Sequence, residues 1–171
     1  MAALAAADGA WQVELLEKNE KLGKKIYITG KGRCNVTNDC GPDTFFANVV
    51  SNPKFLYSAY YTFDNTQVMQ LLEQNGCPLK VERGNRVFPV SDHSSDIIRT
   101  LQNALIKKNV RISLHTEVKH LLIENGCVSG VELSDGRKIY ADAVVVATGG
   151  ISYPSTGSTG DGYRMASECG H

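Results

Sequence analysis

Two dipeptides constrain the second half of the chain more tightly than any other feature. Asn125-Gly126 and Asp135-Gly136 separate short runs rich in Val, Ile, Leu and Tyr. Both dipeptides accept the positive φ angles of a two-residue hairpin turn, whose twist suits the strands on either side. Val118–Glu124, Cys127–Leu133 and Arg137–Tyr140 are therefore expected to form a three-stranded antiparallel meander.

The flanking segments alternate between helix and strand signals. Met1–Ala7 (MAALAAA) reads as the last turns of a small-residue helix, stopped by Asp8-Gly9. Trp11–Leu16 follows as a short strand ending at Glu17. A helix tail running directly into a strand is the later part of a βαβ unit. Glu20–Asn38 holds a brief apolar patch, Ile26–Ile28, and then a glycine-punctuated loop. Asp39–Thr62 is aromatic and low in periodicity, and is expected to be loop with one short helix. Asn65–Asn75 has a good N-cap residue at its start, helix formers, and Gly76 as a stop, and Leu79–Pro89 reads as a hairpin turning at Gly84-Asn85.

Ser91–Asn109 is the clearest helix. Ser91, Asp92 and Ser94 offer caps, while Ile97, Ile98, Leu101, Ala104 and Leu105 line one face. Val110–Leu114 follows as a strand. Beyond the meander, Ala143–Val146 is a continuous apolar run, the pattern of a parallel strand covered on both faces. Asp161–Cys169 reads as a helix that Gly170 ends.

Charge and cysteine usage narrow the function classes. With 18 basic and 18 acidic residues the net charge is +0, leaving no basic stripe for nucleic acid and no polybasic membrane patch. No apolar run approaches the ~20 residues of a membrane span. Met1–Ala7 lacks a basic flank and matches a signal peptide poorly. Cys34, Cys40, Cys77, Cys127 and Cys169 are odd in number and form no C-x-x-C. No metal site is expected of them, and reduced thiols in a cytoplasmic protein are the simplest reading.

Several positions can carry chemistry. Glu17 closes a strand, where a carboxylate either sits exposed or accepts hydrogen bonds from the ribose of a dinucleotide. Thr29–Asn38 (TGKGRCNVTN) offers glycines for close backbone approach and donors from Arg33, Asn35, Thr37 and Asn38. It reads equally as a polar surface turn. Cys34 is either a redox thiol paired with Cys40 or a small residue in a tight loop, and the spacing favours the latter. Ala147-Thr148-Gly149-Gly150 lets the chain pass close to a bound group. Asp161 is either a helix cap or an acceptor toward a cofactor.

The blocks LLEKNEKLGKKIYITGKGRCNVTN, RVFPVSD, VVVATGGISYP and TGSTGDGYRMA resemble the bacterial NAD(P)/FAD-dependent oxidoreductase flavoproteins. That family includes aminoacetone oxidase-like proteins and flavoproteins proposed to act in bile-acid metabolism. The resemblance runs through nearly the whole chain and implies an α/β, glutathione-reductase-like FAD-binding (Rossmann-type) domain carrying a three-stranded meander. It is related more distantly to succinate dehydrogenase and fumarate reductase flavoproteins. It also implies that a strand with a GxGxxG turn precedes Met1 and that further chain follows His171, so that residues 1–171 form a partial FAD-binding domain. Within it, 39–90 would be an excursion and 117–140 the meander.

Carried over by position, Glu17 would bind the adenosine ribose, with Lys18 and Asn19 beside it. Gly30, Gly32, Arg33, Cys34, Asn35 and Thr37 would run along the flavin or pyrophosphate. Val118 would meet adenine through its backbone. Ala147, Thr148, Gly149 and Gly150 would approach the middle of the cofactor, and Asp161 and Gly162 its ribityl or flavin region. The expected activity is flavin-mediated hydride transfer on a small molecule, with NAD(P)H as a candidate donor. The rival readings are a truncated, non-catalytic nucleotide-binding or interaction module and an NAD-only dehydrogenase. Tyr27, Tyr153, His93, His115 and His120 could serve acid–base chemistry, but the sequence assigns none of them, nor a substrate or oligomeric state.

Overall fold

The structure is a computed structural model that describes Met1–His171 throughout. In chain order it contains α1 (Ala2–Ala7), β1 (Glu14–Leu16), α2 (Lys24–Ile28), β2 (Thr37–Asn38), α3 (Pro42–Ala47), α4 (Tyr57–Thr62) and α5 (Asn65–Gln74). There follow β3 (Leu79–Glu82), β4 (Arg86–Pro89), α6 (Ser94–Lys107), β5 (Arg111–Ser113), β6 (Val118–Glu124), β7 (Cys127–Leu133), β8 (Lys138–Tyr140) and α7 (Asp161–Glu168). The chain divides into two compact units. One is Met1–Lys25 with Leu105–His171, and the other is Ile26–Ala104.

In the first unit, β1 and β5 pair in parallel, Glu14 opposite Arg111 and Leu16 opposite Ser113. The meander forms as its turn chemistry dictates, with β7 central between β6 and β8. Asn125 and Gly126 both adopt positive φ at the first turn. A register shift between Leu122 and Ile123 leaves Ser129 without a cross-strand partner on β6, a β-bulge that bends the strand. Gly130 follows at φ 152, and a Cβ there would run into the Ile139 carbonyl. Leu4, Leu105, Val110, Val131, Leu133 and Met165 are the buried apolar residues of this unit.

In the second unit, β4 is central, with β2 and β3 antiparallel on either side. Cys34, Leu72, Cys77 and Ile97 form its core, with Val36, Val68, Leu79 and Leu101 packed against them. α5 is capped by Asp64 and not by Asn65, whose side chain is spent on the Asn38 and Cys40 carbonyls, and the cap is a reciprocal capping box. Asp64 Oδ1 accepts the Gln67 N–H at 2.8 Å, and Gln67 Oε1 accepts the Asp64 N–H at 2.9 Å. Each bond satisfies a group that helix formation leaves without an internal partner.

Four further sequence expectations change. Ala143–Val146 is not a strand: it pairs with nothing, and Val145 is 69% and Val146 42% exposed. Apolar character suits a run to burial but supplies no neighbouring ladder, and β1–β5 is the only parallel pair. Asp39–Thr62 holds α3, a 3₁₀ turn at Pro53–Leu56, and α4. Pro42 and Pro53 open the first two of these, their fixed φ suiting a first turn, and ring packing among Phe45, Phe46, Tyr57 and Tyr60 supports them. The patch Ile26–Ile28 ends a short helix, α2, too brief to show a period. Of the cap candidates for α6, Ser94 instead donates its hydroxyl to the Tyr27 carbonyl at 3.0 Å, and Asp92 is engaged by Arg33 and Lys80.

The bulge glycine yields a direct test. Gly130→Ala is expected to cost about 3 kcal/mol or more, because backbone strain and a main-chain clash add. Gly126→Ala, at positive φ but with open space around it, is expected to cost about 1 kcal/mol. Urea unfolding of the two variants measures the difference.

Candidate functional site

The carboxyl edge of the parallel pair gathers most of the expected residues of the first unit. The ladder continues one residue past β1, where the Glu17 N–H donates to the Ser113 carbonyl and the Thr116 N–H donates to the Glu17 carbonyl, each at 2.9 Å. That fixes the Glu17 side chain at the strand's end. Its Oε1 accepts the Asn19 N–H at 2.9 Å and the Asn19 amide at 2.7 Å. Oε2 has no protein partner and remains open as an acceptor.

Lys18 and Asn19 reach across to Thr156–Asp161. Lys18 Nζ donates to Thr159 Oγ1 and to Asp161 Oδ2, both at 2.7 Å, and Thr159 Oγ1 donates to Asp161 at 2.8 Å. The Asn19 amide also donates to the Thr156 carbonyl at 3.3 Å. Gly157, at φ 95, makes this approach feasible, because a Cβ would lie 2.7 Å from Asn19 Nδ2. Asp161 is the first residue of α7 and not its cap; the cap position belongs to Gly160 at φ 87. The Lys18 ammonium, helped by Thr159, holds the Asp161 carboxyl below its ordinary range.

The glycines of the Ala147–Gly150 segment and α7 serve close packing within the chain. A Cβ on Gly149 would meet Ser158 Oγ at 3.0 Å, and one on Gly150 would meet the Tyr163 hydroxyl at 3.3 Å. A Cβ on Gly162 would meet Thr148 Oγ1 at 2.9 Å. Sequence reasoning missed Ser158, which is buried, and Thr159, although the run GSTGDG signalled a segment of tight approach.

A groove of about 270 Å³ lies beside this edge, lined by Lys18, His115, Thr116, Leu133, Asp135 and Arg137 among others. Val118, at the start of β6, sits opposite Leu133 in the ladder and next to the groove residue Glu117. His115 adopts φ 50 on the groove wall, whereas His120 faces Glu168, its Nδ1 3.2 Å from the carboxylate. No group of three or more His, Cys, Asp or Glu is placed to hold a metal ion. No helix is long and apolar enough to cross a membrane.

Gly30, Gly32, Arg33, Cys34, Asn35 and Thr37 belong to the second unit. Gly30, Lys31, Gly32 and Cys34 all take positive φ, and a Cβ on Gly30 would meet the Asn35 nitrogen at 2.8 Å. Arg33 turns onto its own hairpin. It donates to Asp92 Oδ1 from Nε at 2.9 Å and to Glu82 Oε1 from a terminal nitrogen at 2.5 Å, and it lies 4.2 Å above the Phe88 ring. Lys80 completes the cluster, 2.7 Å from Asp92. The Arg33 hydrogen bond lowers the Glu82 carboxyl, Lys80 and then Arg33 lower that of Asp92, and both acids raise the guanidinium in turn.

Cys34 is 6% exposed, and burial pushes its thiol pKa up despite a hydrogen bond from Thr29. A buried thiol with a raised pKa is a poor nucleophile, and it packs with Cys77, not Cys40. All five cysteines are free. Asn35 is exposed, and Thr37 pairs with Val87.

The HI0933-like protein Rossmann domain matches residues 1–171. Over 173 aligned positions the chain is 34% identical to the 3-dehydro-bile acid delta(4,6)-reductase of Clostridium scindens, covering 100% of this chain and 41% of that protein. It is 30% identical over 167 positions to the ribosomal RNA dihydrouridine synthase of Escherichia coli K12, covering 96% of this chain and 40% of the relative. The chain thus spans about two fifths of the length of these curated relatives. Among solved structures it resembles the open conformation of a flavocytochrome c3 fumarate reductase, with a TM-score of 0.66 and 26% identity. That likeness covers 98% of this chain and 38% of the other. The fold is Rossmann-type, with the antiparallel meander that the turns required.

Two measurements test the Lys18–Asp161 clasp. Asp161 stabilises the fold fully above its unfolded pKa, near 3.9, and loses that contribution as pH falls through its lower folded value. Asp161→Asn should therefore flatten the acid limb of stability below about pH 4, read by thermal unfolding across pH. Gly157→Ala should cost about 1–3 kcal/mol in urea unfolding, from strain at positive φ and displacement of Asn19.

Proposed function

We propose that this chain, which belongs to the HI0933-like Rossmann-domain family, is part of an FAD-dependent oxidoreductase that saturates a conjugated carbon–carbon double bond in a small molecule. The observation that carries the reading is Glu17. Its carboxylate is fixed at the carboxyl edge of a parallel strand with one oxygen held by Asn19 and the other open. That is where a Rossmann-type domain recognises ribose hydroxyls.

In this reading the following residues would hold the cofactor. Oε2 of Glu17 would take the ribose hydroxyls, and the neighbouring groove, walled by Lys18, Thr116 and Leu133, would take the adenine, with the Val118 backbone beside it. For Gly30–Thr37, in the other unit, the role along flavin or pyrophosphate is proposed from the family resemblance alone and would fall to backbone groups, since the Arg33 guanidinium is engaged by Glu82, Asp92 and Phe88. Ala147–Gly150 and Asp161-Gly162 would border the middle of the cofactor.

The reaction class is drawn from the relatives. A delta(4,6)-reductase, a dihydrouridine synthase and a fumarate reductase each bear a name that denotes hydrogen added across a carbon–carbon double bond. The reduced flavin, when bound, would supply the hydride to one carbon while a proton from solvent reaches the other, and NAD(P)H is the proposed donor that would reduce the oxidised flavin again. The chain's part is to hold and orient that group. The small-molecule substrate class is taken from the delta(4,6)-reductase relative, which is the more similar of the two curated relatives at 34% identity against 30%. The meander favours a flavin domain over an NAD-only one, and five free thiols suit the cytoplasm.

Purified protein should be yellow, release FAD on denaturation, and bleach anaerobically with NAD(P)H. Glu17→Gln should weaken FAD binding about tenfold or more, as expected when a charged acceptor is neutralised. Protein that stays colourless after incubation with FAD counts against the reading. Reduction of uridine in ribosomal RNA, with small enones untouched, would overturn the substrate class.

A further inference from the structure

The Ile26–Ala104 unit contains a cavity of about 330 Å³ that the proposed cofactor does not account for; of the residues assigned to the cofactor, only Thr37 touches it. Phe45, Leu56, Ala59, Tyr60 and Phe63 make its apolar wall. Phe45 and Tyr60 pack with ring centroids 4.5 Å apart, and Phe46 backs them, 4.4 Å from Tyr57 and 5.1 Å from Tyr60.

The wall is fastened by its own polar groups. The Tyr60 hydroxyl donates to Asn65 Oδ1 at 3.1 Å. The Asn65 amide in turn donates to the carbonyls of Asn38 and Cys40, at 2.7 and 3.0 Å. One side chain thereby ties α4, α5 and β2 around the cavity, a shape built before any ligand arrives.

Three lining residues keep a polar atom without a hydrogen bond inside the protein. The Thr37 hydroxyl has no protein partner. Asn38 donates its amide to Gly84 but leaves Oδ1 open, and Asp64 spends Oδ1 on its helix cap and leaves Oδ2 open. All three are acceptors, only Thr37 can also donate, and Asp64 is the only charged residue in the lining. Such a set welcomes a hydroxyl proton and repels an anion.

We propose that this cleft is a binding site for uncharged ring compounds that carry a hydroxyl group. Flat rings lie against the aromatic wall of the cleft, whose volume lies at the lower end of the range of about 300–1,000 Å³ found for ligand pockets. The hydroxyl donates to the Asp64–Asn38 rim. A carboxylate or phosphate on the same rings would stand against Asp64 and bind poorly.

Two probes with identical rings test this in calorimetric and saturation-transfer NMR titrations of the purified protein. 2-Naphthol should bind saturably at one site, and 2-naphthoate about tenfold more weakly or worse. Asp64→Asn retains a side chain that can cap α5 and should close the gap between the probes. Ala59→Trp, at an exposed lining position, should fill the cleft and abolish 2-naphthol binding with the far-ultraviolet circular dichroism unchanged. Should that variant fail to fold, the Asp64→Asn comparison decides. Equal affinity of the two probes for the unaltered protein, 2-naphthol binding that survives a folded Ala59→Trp, or no saturable 2-naphthol binding each overturns the proposal.

Discussion

Both polar groups of the Glu17 peptide are bound, its N–H by Ser113 and its carbonyl by Thr116, and the functional edge of the first unit depends on that. A carboxylate on a loose loop would sample many positions. Here two main-chain bonds carry the parallel ladder past β1, so the side chain leaves the sheet at a set place and Asn19 settles one of its oxygens. Lys18 and Asn19 then stand within reach of Thr156–Asp161, and the pairing of two three-residue strands positions a segment some 140 residues further along the chain.

The second unit handles its loop differently. Gly30, Lys31, Gly32 and Cys34 hold positive φ in near succession, a costly arrangement for residues with side chains. It persists because its neighbours are committed. Cys34 is buried in the core, Val36 donates to the Val87 carbonyl, and Arg33 is clasped by two carboxylates and a ring. A loop held in this way offers backbone rather than side chain to whatever lies beside it. An Arg-Cys-Asn run suggests side-chain donors, but the structure turns Arg33 inward.

What could be read from residues alone follows from how local the governing physics is. The meander was legible because Asn-Gly and Asp-Gly determine their turns within two residues. α6 was legible because its apolar face repeats for four turns, and Glu17 because a strand end is marked by where apolar character stops. Ala143–Val146 misled, since a run of valines states a preference for burial without naming a neighbour. Residues 39–62 misled in the opposite sense. Each of their helical pieces is shorter than two turns and rests on ring contacts between segments that no window of sequence brings together. The partners of Arg33, at positions 82, 88 and 92, were beyond reach for the same reason, as was the displacement of Asp161 from cap to first helical residue.

The valine run has a physical consequence of its own. From Asp142 to Gly150 no main-chain group forms a hydrogen bond within the protein, while Val145 and Val146 face solvent. Water satisfies those peptide groups but gains nothing from the side chains, so the segment is primed to accept a strand laid against it. A strand laid here would both pair those peptide groups and cover the valines, a contact that strengthens with salting-out ions as apolar burial does. A single lysine among those valines would place a charge on that edge and oppose such pairing.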